Sequence, residues 1–376
     1  MEPIRMVDLV GQYAKIKEEV KLEIDKVLES ATFINGPVVH EFQANLEEYL
    51  GARHVIPCAN GTDALQIIMM AHNFPKGAEV LVPSFTYVAT VEVIALLGFK
   101  PVFVEVYPDT FNIDIEDLES KITDKSVAIV PVHLYGQCAD MDRLMAVAKR
   151  NNLKVFEDTA QAIGAEYTSS DGSVSKAGTI GDAGATSFFP SKNLGAYGDG
   201  GAIMTNDDEL AAKLRMIVNH GQSKRYYHDS IGVNSRLDSM QAAVLKVKLK
   251  FLNGYNHARY QVASRYSEAF SKTDWITPPI ESEFSTHVYH QYTMKLADGV
   301  DRDALANHLA AHDIPAMIYY PVPNHLQKAY AYYGYKEGDM PNTEDLCSRV
   351  VSLPIHTEMT DEQQWFIIEK VLSFQS

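Results

Sequence analysis

Residues 183–204, AGATSFFPSKNLGAYGDGGAIM, hold a lone lysine in a setting suited to covalent chemistry. A short apolar β-like run ends at Phe189, and Pro190 follows, fixing φ and removing a ladder donor. Lys192 comes next, and then Gly195, Gly198, Gly200 and Gly201 cross into a second apolar run, Ala202-Ile203-Met204. Glycines at that density allow positive φ and let backbone approach a ligand closely. A lysine between two buried strands is desolvated, which lowers its pKa and makes the neutral amine a nucleophile of the Schiff-base kind. A lysine after a strand is nonetheless more often a solvated loop residue, so its surroundings must carry the argument.

Three further segments supply matching chemistry. Asp158 ends the apolar run Val155-Phe156, and a buried carboxylate is costly unless it meets a cation or donors. A protonated cofactor ring nitrogen would be such a cation; a cap on the following turn, through Thr159 and Gln161, is the plain alternative. Asn60-Gly61-Thr62-Asp63 follows the strand-like residues 54–58 and opens a helix from about Ala64. Free amides at such a terminus bind phosphate, although Thr62 or Asp63 could simply cap it. Tyr87 offers a flat ring for stacking or for core packing, and Ser187 adds a hydroxyl beside the lysine. A lysine, an acid, an aromatic ring and a phosphate cradle (Gly61, Thr62, Ser187) are the set that pyridoxal 5′-phosphate (PLP) requires.

These segments need a scaffold that brings them together. Strand-like runs at 80–82, 102–106, 127–134 and 155–156 alternate with helical patterns at 87–97, 113–122 and 141–151. Continuous β-branched runs alternating with helices predict βαβ units and a mostly parallel, buried sheet. Right-handed crossovers then collect the loops at the strands' carboxyl ends, where 60–62, 84–87, 157–161 and 187–192 all fall. Two helices precede the sheet, an amphipathic one over 13–28 and another over 39–49. A stripe of Met240, Val244, Val247 and Phe251 and a helix over 260–270 follow it. Beyond Thr277-Pro278-Pro279 come an alternating strand at 289–296, a helix at 303–311 and an apolar strand at 316–320. The last helix carries a capping box, Thr360 with Gln363, and should bury Phe366, Ile367 and Leu372. The expected division is a large α/β domain over 1–250 and a small α+β domain over 251–376.

At 376 residues the chain is long enough for about two domains. A net charge of −16 argues against a nucleic-acid partner and means that an anionic ligand needs local positive groups. Cys58, Cys138 and Cys347 are widely spaced, with no Cys/His cluster, so neither a disulfide framework nor a metal site is expected. No apolar run suggests a signal or membrane span, and a reducing cytoplasm fits best.

Taken together, CANGTDALQ, PSFTYVATVE, VHLYGQCADMD, EDTAQAIGA, SFFPSKNLGAYGDGGAI and GVNSRLDSMQAA resemble the DegT/StrS family of PLP-dependent nucleotide-sugar aminotransferases. They occur in the family's order over residues 58–243, with further likeness in YYPVPNHLQKAY at 319–330. The resemblance implies the type I PLP-enzyme fold, a large, mostly parallel seven-stranded sheet domain with a small C-terminal domain. It implies that Lys192 joins PLP as a Schiff base and moves the reacting proton, and that Asp158 pairs with the pyridinium nitrogen. Gln161 would approach the ring hydroxyl, Tyr87 would stack on the ring, and Gly61, Thr62 and Ser187 would bind the phosphate. Asn234 would reach the cofactor phosphate of a neighbouring subunit, making the active site a homodimer interface. Arg236, Tyr319, Tyr320 and His325 fall in segments that the family uses near the sugar. Arg236 could equally pair with Asp238, and the tyrosines of a YYP run often pack in a core.

A dehydratase branch of the family has histidine where this chain has Lys192, so the lysine favours transamination. The implied cycle takes nitrogen from L-glutamate, with pyridoxamine phosphate as the intermediate form, and delivers it to a keto nucleotide sugar. NSRLD and YGQCADMD most resemble members aminating carbon 3 of UDP-2-acetamido-3-keto uronic acids, for a surface polysaccharide such as an O-antigen. The alternatives are a dTDP-3-keto-6-deoxyhexose aminotransferase, a non-transaminating PLP enzyme and a PLP-binding regulator.

Overall fold

The computed structural model describes residues 2–374. Strands β1 (His54–Cys58), β2 (Glu79–Pro83), β3 (Lys100–Val104), β4 (Ser126–Ile129), β5 (Lys154–Asp158), β6 (Ala183–Ser187) and β7 (Gly201–Thr205) form one sheet. Its seven strands lie in the order β1-β7-β6-β5-β4-β2-β3. β7 runs antiparallel to both β1 and β6, and the remaining pairings are parallel. Helices cover both faces. Ile67, Ile68, Val91, Ile94 and Leu214 pack on one side, and Leu118, Leu144 and Val147 on the other. This two-sided cover explains why every residue of β2 and β7 is buried and apolar runs replace alternation.

A smaller three-stranded antiparallel sheet follows, β8 (Ile276–Thr277), β9 (Tyr292–Leu296) and β10 (Val350–Leu353), with β9 central. Tyr266 and Phe270 of the 19-residue helix Leu252–Phe270, Leu305 of Arg302–Ala310 and Ile367 of Asp361–Leu372 close its core. Ile4 joins that core as well, and the Ile355 amide donates to the carbonyl of Met6. The start of the chain is therefore packed on its end.

Several local expectations are corrected. The run at 316–320 is not a strand; Pro315 and Pro321 bracket it, and its one ladder contact is a bridge from Met317 to Ser352. The strand expected over 127–134 stops at Ile129, because Pro131 cannot donate to a ladder. The Thr360/Gln363 capping box is present, but the helix it opens buries Gln363, Gln364, Ile367, Ile368 and Val371. Those positions form two adjoining i, i+4 rows, which turn Leu372 outward at 42% exposure and leave Phe366 half-buried.

Candidate active site

Four chain segments leave the carboxyl ends of β1, β2, β5 and β6 on one rim, where they enclose a cavity of about 760 Å³. Its lining includes Gly61, Thr62, Tyr87, Asp158, Gln161, Ser187 and Lys192, and Tyr319 and Tyr320 complete a wall. Nine of the twelve sequence-predicted site residues thus meet in one place: Gly61, Thr62, Tyr87, Asp158, Gln161, Ser187, Lys192, Tyr319 and Tyr320.

Lys192 enters the cavity just beyond β6. Burial lowers its amine to about 8, against the opposing charge of Asp158. An amine with that pKa is substantially neutral near pH 8, as a nucleophile or proton carrier must be. The loop holding it is tied down, with the Lys192 amide donating to the Phe189 carbonyl and the Ala196 amide to the Phe188 carbonyl.

Asp158 is buried at the end of β5. Its Oδ2 accepts the Thr90 hydroxyl at 2.8 Å and its Oδ1 accepts the Ala160 amide at 3.1 Å. The local cap is therefore real, and the carboxylate also lines the cavity. Its neighbour Glu157 points to the opposite side of the sheet and anchors the strand. Glu157 accepts His133 Nε2 at 2.8 Å and the amides of Gly178, Ile180 and Gly181 at 2.8, 2.8 and 2.7 Å. Alternation along β5 then delivers Asp158 to the rim.

The helix Gly61–His72 is capped by Asn60, which takes the Asp63 amide at 2.8 Å, rather than by Thr62 or Asp63. The first-turn amides of Gly61 and Thr62 are left as donors at the cavity. A Cβ on Gly61 would stand 2.7 Å from Ser187 Cβ, and one on Gly201 would stand 2.4 Å from the Asn60 carbonyl carbon. Glycine is thus required for the turn to close into a cradle of amides and the Ser187 hydroxyl, which suits a phosphate. With an amine of low pKa, a buried carboxylate and this cradle around one cavity, the residues fit PLP.

Gln161 is locked in place. Its Oε1 accepts the Tyr135 amide at 2.8 Å and its Nε2 donates to the Tyr320 hydroxyl at 3.0 Å. Tyr87 is 57% exposed, with its ring centroid 6.1 Å from that of Tyr320.

Three predicted residues lie elsewhere. His325 is fully buried between Ser84 Oγ, 2.7 Å from its Nδ1, and Glu344 Oε1, 3.0 Å from its Nε2. There it supports the strand-end loop at 84–87 rather than lining the cavity. Asn234 is exposed, and Arg236 is half-buried without an ion pair to Asp238, which instead caps the helix Ser239–Leu249. Neither lines the cavity of its own chain.

Sequence reasoning missed Thr90 and His290. Thr90 lies in the first turn of the helix Ala89–Leu96, three residues after Tyr87, and that closeness to a predicted site residue could have flagged it. His290 lines the cavity, and burial, with the charges of Lys192 and Arg259, holds its imidazole well below the usual range. Nothing in the alternation of residues 289–296 distinguishes it from a core histidine.

The DegT/DnrJ/EryC1/StrS aminotransferase family model matches residues 14–372. A protein of Geobacillus stearothermophilus named pleiotropic regulatory protein is 45% identical over 99% of this chain and 98% of its own length. UDP-2-acetamido-2-deoxy-3-oxo-D-glucuronate aminotransferase of Pseudomonas aeruginosa is 43% identical over 94% of this chain and 95% of its own. Among solved structures, ntda from Bacillus subtilis with bound cofactor PMP, pyridoxamine phosphate, superposes with a TM-score of 0.90. It is 30% identical, and the match covers 99% of this chain and 85% of that one.

Proposed function

This chain belongs to the DegT/DnrJ/EryC1/StrS aminotransferase family, and from that premise we propose that it transfers the amino group of L-glutamate to carbon 3 of a UDP-linked 2-acetamido-3-keto uronic acid. It is a PLP-dependent nucleotide-sugar aminotransferase. The observation that carries the reading is Lys192, the lysine of the cavity, its amine lowered to about 8 beside a carboxylate held by Thr90.

When bound, PLP supplies the electron sink that stabilises charge developing on the substrate carbon. The chain supplies the rest. Asp158, held at Oδ2 by Thr90, would keep a proton on the ring nitrogen. The Gly61 and Thr62 amides and the Ser187 hydroxyl would hold the phosphate, drawing on the helix N-terminus to offset the overall charge of −16. Gln161, fixed by Tyr135 and Tyr320, would meet the ring hydroxyl, and Tyr87 would lie against the ring face. Lys192, neutral for part of the time near pH 8, would take the proton from the substrate carbon and return it.

The remaining members of the reading concern neighbours. Asn234 would reach the cofactor phosphate of a second subunit, in keeping with its exposure and with Tyr226 and Ile231 nearby at 78% and 87% exposure. A homodimer would cover those apolar side chains. From the partner, Arg236 would approach the acidic end of the substrate. The cytoplasm, with three buried free thiols and surface-polysaccharide synthesis as the setting, completes the proposal. Among the described residues no helix is long and apolar enough to cross a membrane.

The test is the visible spectrum of the PLP-loaded protein before and after L-glutamate. Bleaching with stoichiometric 2-oxoglutarate, and recovery on adding the UDP-3-keto uronic acid, is the expected result. Recovery only with a dTDP-3-keto-6-deoxyhexose would replace the sugar. The Geobacillus relative's name favours a second reading, a regulator that binds PLP without turnover; a spectrum unmoved by any amino donor would select it.

A further inference from the structure

A transaminase cavity must receive the carboxylate of its amino donor, yet this chain's own lining contains no arginine and no lysine but Lys192 among the described residues, and the partner's Arg236 is assigned above to the acidic end of the sugar. The phosphate cradle uses the first-turn amides of Gly61 and Thr62, and Gln161 is already committed to Tyr135 and Tyr320. His290 remains. It lies 5% exposed in the cavity wall, and its Nδ1 is sealed from solvent with no hydrogen-bond partner among the described residues. A neutral imidazole carries one proton, and a sealed N–H without an acceptor is the rarer arrangement in proteins. The proton is therefore assigned to Nε2, the nitrogen left for the cavity.

The backbone that carries the ring is also held in place relative to Lys192. Arg259, buried in the C-terminal unit, donates through Nη1 to the carbonyls of Tyr289 and His290, both at 3.2 Å, and of Ile355 at 3.1 Å. Asn193, the residue after Lys192, donates through Nδ2 to the Val288 carbonyl at 2.9 Å. Tyr289, between those anchors, has φ of 45°, a left-handed conformation unusual for a bulky residue. Such backbone persists where surrounding structure over-determines it, as at ligand sites. The two anchors tie the histidine and the reactive lysine to one frame.

We propose that His290 is the residue that receives the α-carboxylate of the amino donor, through a hydrogen bond from Nε2–H, beside Lys192. This rests on the aminotransferase reading above. It assigns His290 to the first half-reaction, whereas the sugar half-reaction brings no carboxylate to the reacting carbon. Binding is by a hydrogen bond from an uncharged ring, so an amine rather than an alcohol at the α-carbon is selected by Lys192 and the cofactor, not by His290.

The experiment compares PLP-loaded wild type with His290→Phe and His290→Gln by rapid-scan absorption. Removing a hydrogen bond to a charged group should raise the half-saturating L-glutamate concentration at least about tenfold in the phenylalanine variant. The effect on the keto-sugar half-reaction should be smaller by about the same factor, and glutamine should restore much of the loss. Equal effects on both half-reactions, or an unchanged glutamate dependence, would overturn the proposal. If His290→Phe fails to hold the cofactor, the imidazole ¹⁵N spectrum of the wild type decides. A shift of Nε2 on titrating α-methyl-L-glutamate supports the assignment, and no shift overturns it. Wild type that ignores every amino donor would instead defeat the aminotransferase reading itself.

Discussion

Two lysines of this chain are desolvated, and they do different things. Lys192 lines the rim cavity with its amine at about 8, and among the described residues that amine makes no hydrogen bond. Lys248, on the helix Ser239–Leu249, is completely buried with its amine at about 7. Its Nζ donates to the Gly195 carbonyl at 2.6 Å, inside the same glycine-rich loop that carries Lys192. Burial lowers both amines, and for Lys248 the charge of Arg259 adds to it. A perturbed pKa therefore does not by itself mark the nucleophile. What separates them is access: one amine opens on a ligand-sized space opposite a carboxylate, the other ties a loop to a helix.

That contrast can be broken at either lysine. Lys192→Ala should reduce turnover by at least about 10³-fold, since on the proposed reading it removes both nucleophile and proton carrier, while the thermal midpoint stays close to wild type. A steady-state assay alongside a melting curve checks this, and appreciable turnover would mean that the cavity lysine is not the reactive one. Thr90→Val should come next, slowing the glutamate half-reaction several-fold to about tenfold by freeing Asp158 Oδ2 from its hydroxyl partner. Stopped-flow bleaching measures it, and an unchanged rate would make Thr90 a packing residue only.

Lys248→Met should have the smallest effect on chemistry and the clearest one on stability. The folded pKa of Lys248, about 7, lies below its ordinary 10.5, so between those values the unfolded chain binds the extra proton. Wild-type stability should accordingly rise with pH from about 7 toward 10.5, by up to a few kcal/mol on the order of this shift, and be lost as pH falls to 7. The methionine variant should show a flatter profile over that window in urea melts, with its PLP absorption retained. A profile parallel to wild type would show that Lys248 is not titrating there.

The sequence was informative where chemistry is local and uninformative where it depends on partners from far along the chain. Lys192 with its glycines, Asp158 ending an apolar run and the Asn60–Thr62 turn each carry their signal within a few residues. The alternation of apolar runs with helical stripes was enough for a mostly parallel sheet, and the sheet's geometry then collected the strand-end loops. His325 misled because its role is set by Ser84 and Glu344, the first of them some 240 positions away (|i−j| = 241). The run at 316–320 misled because apolar side chains promise a strand while flanking prolines deny the ladder its donors.

What the amino-acid sequence determined by itself was the α/β architecture and the family, together with a set of candidate reactive groups. Only the tertiary structure decided that Asn60 rather than Thr62 caps the helix that opens at the cavity, that Thr90 holds Asp158, and that Lys248 is a clamp. It also brought His290 into the cavity wall, through Arg259 and Asn193. Propensity and periodicity act over one or two turns, so they report which elements form. A buried polar group takes its role from whichever partner satisfies it, and that partner is chosen when distant elements pack.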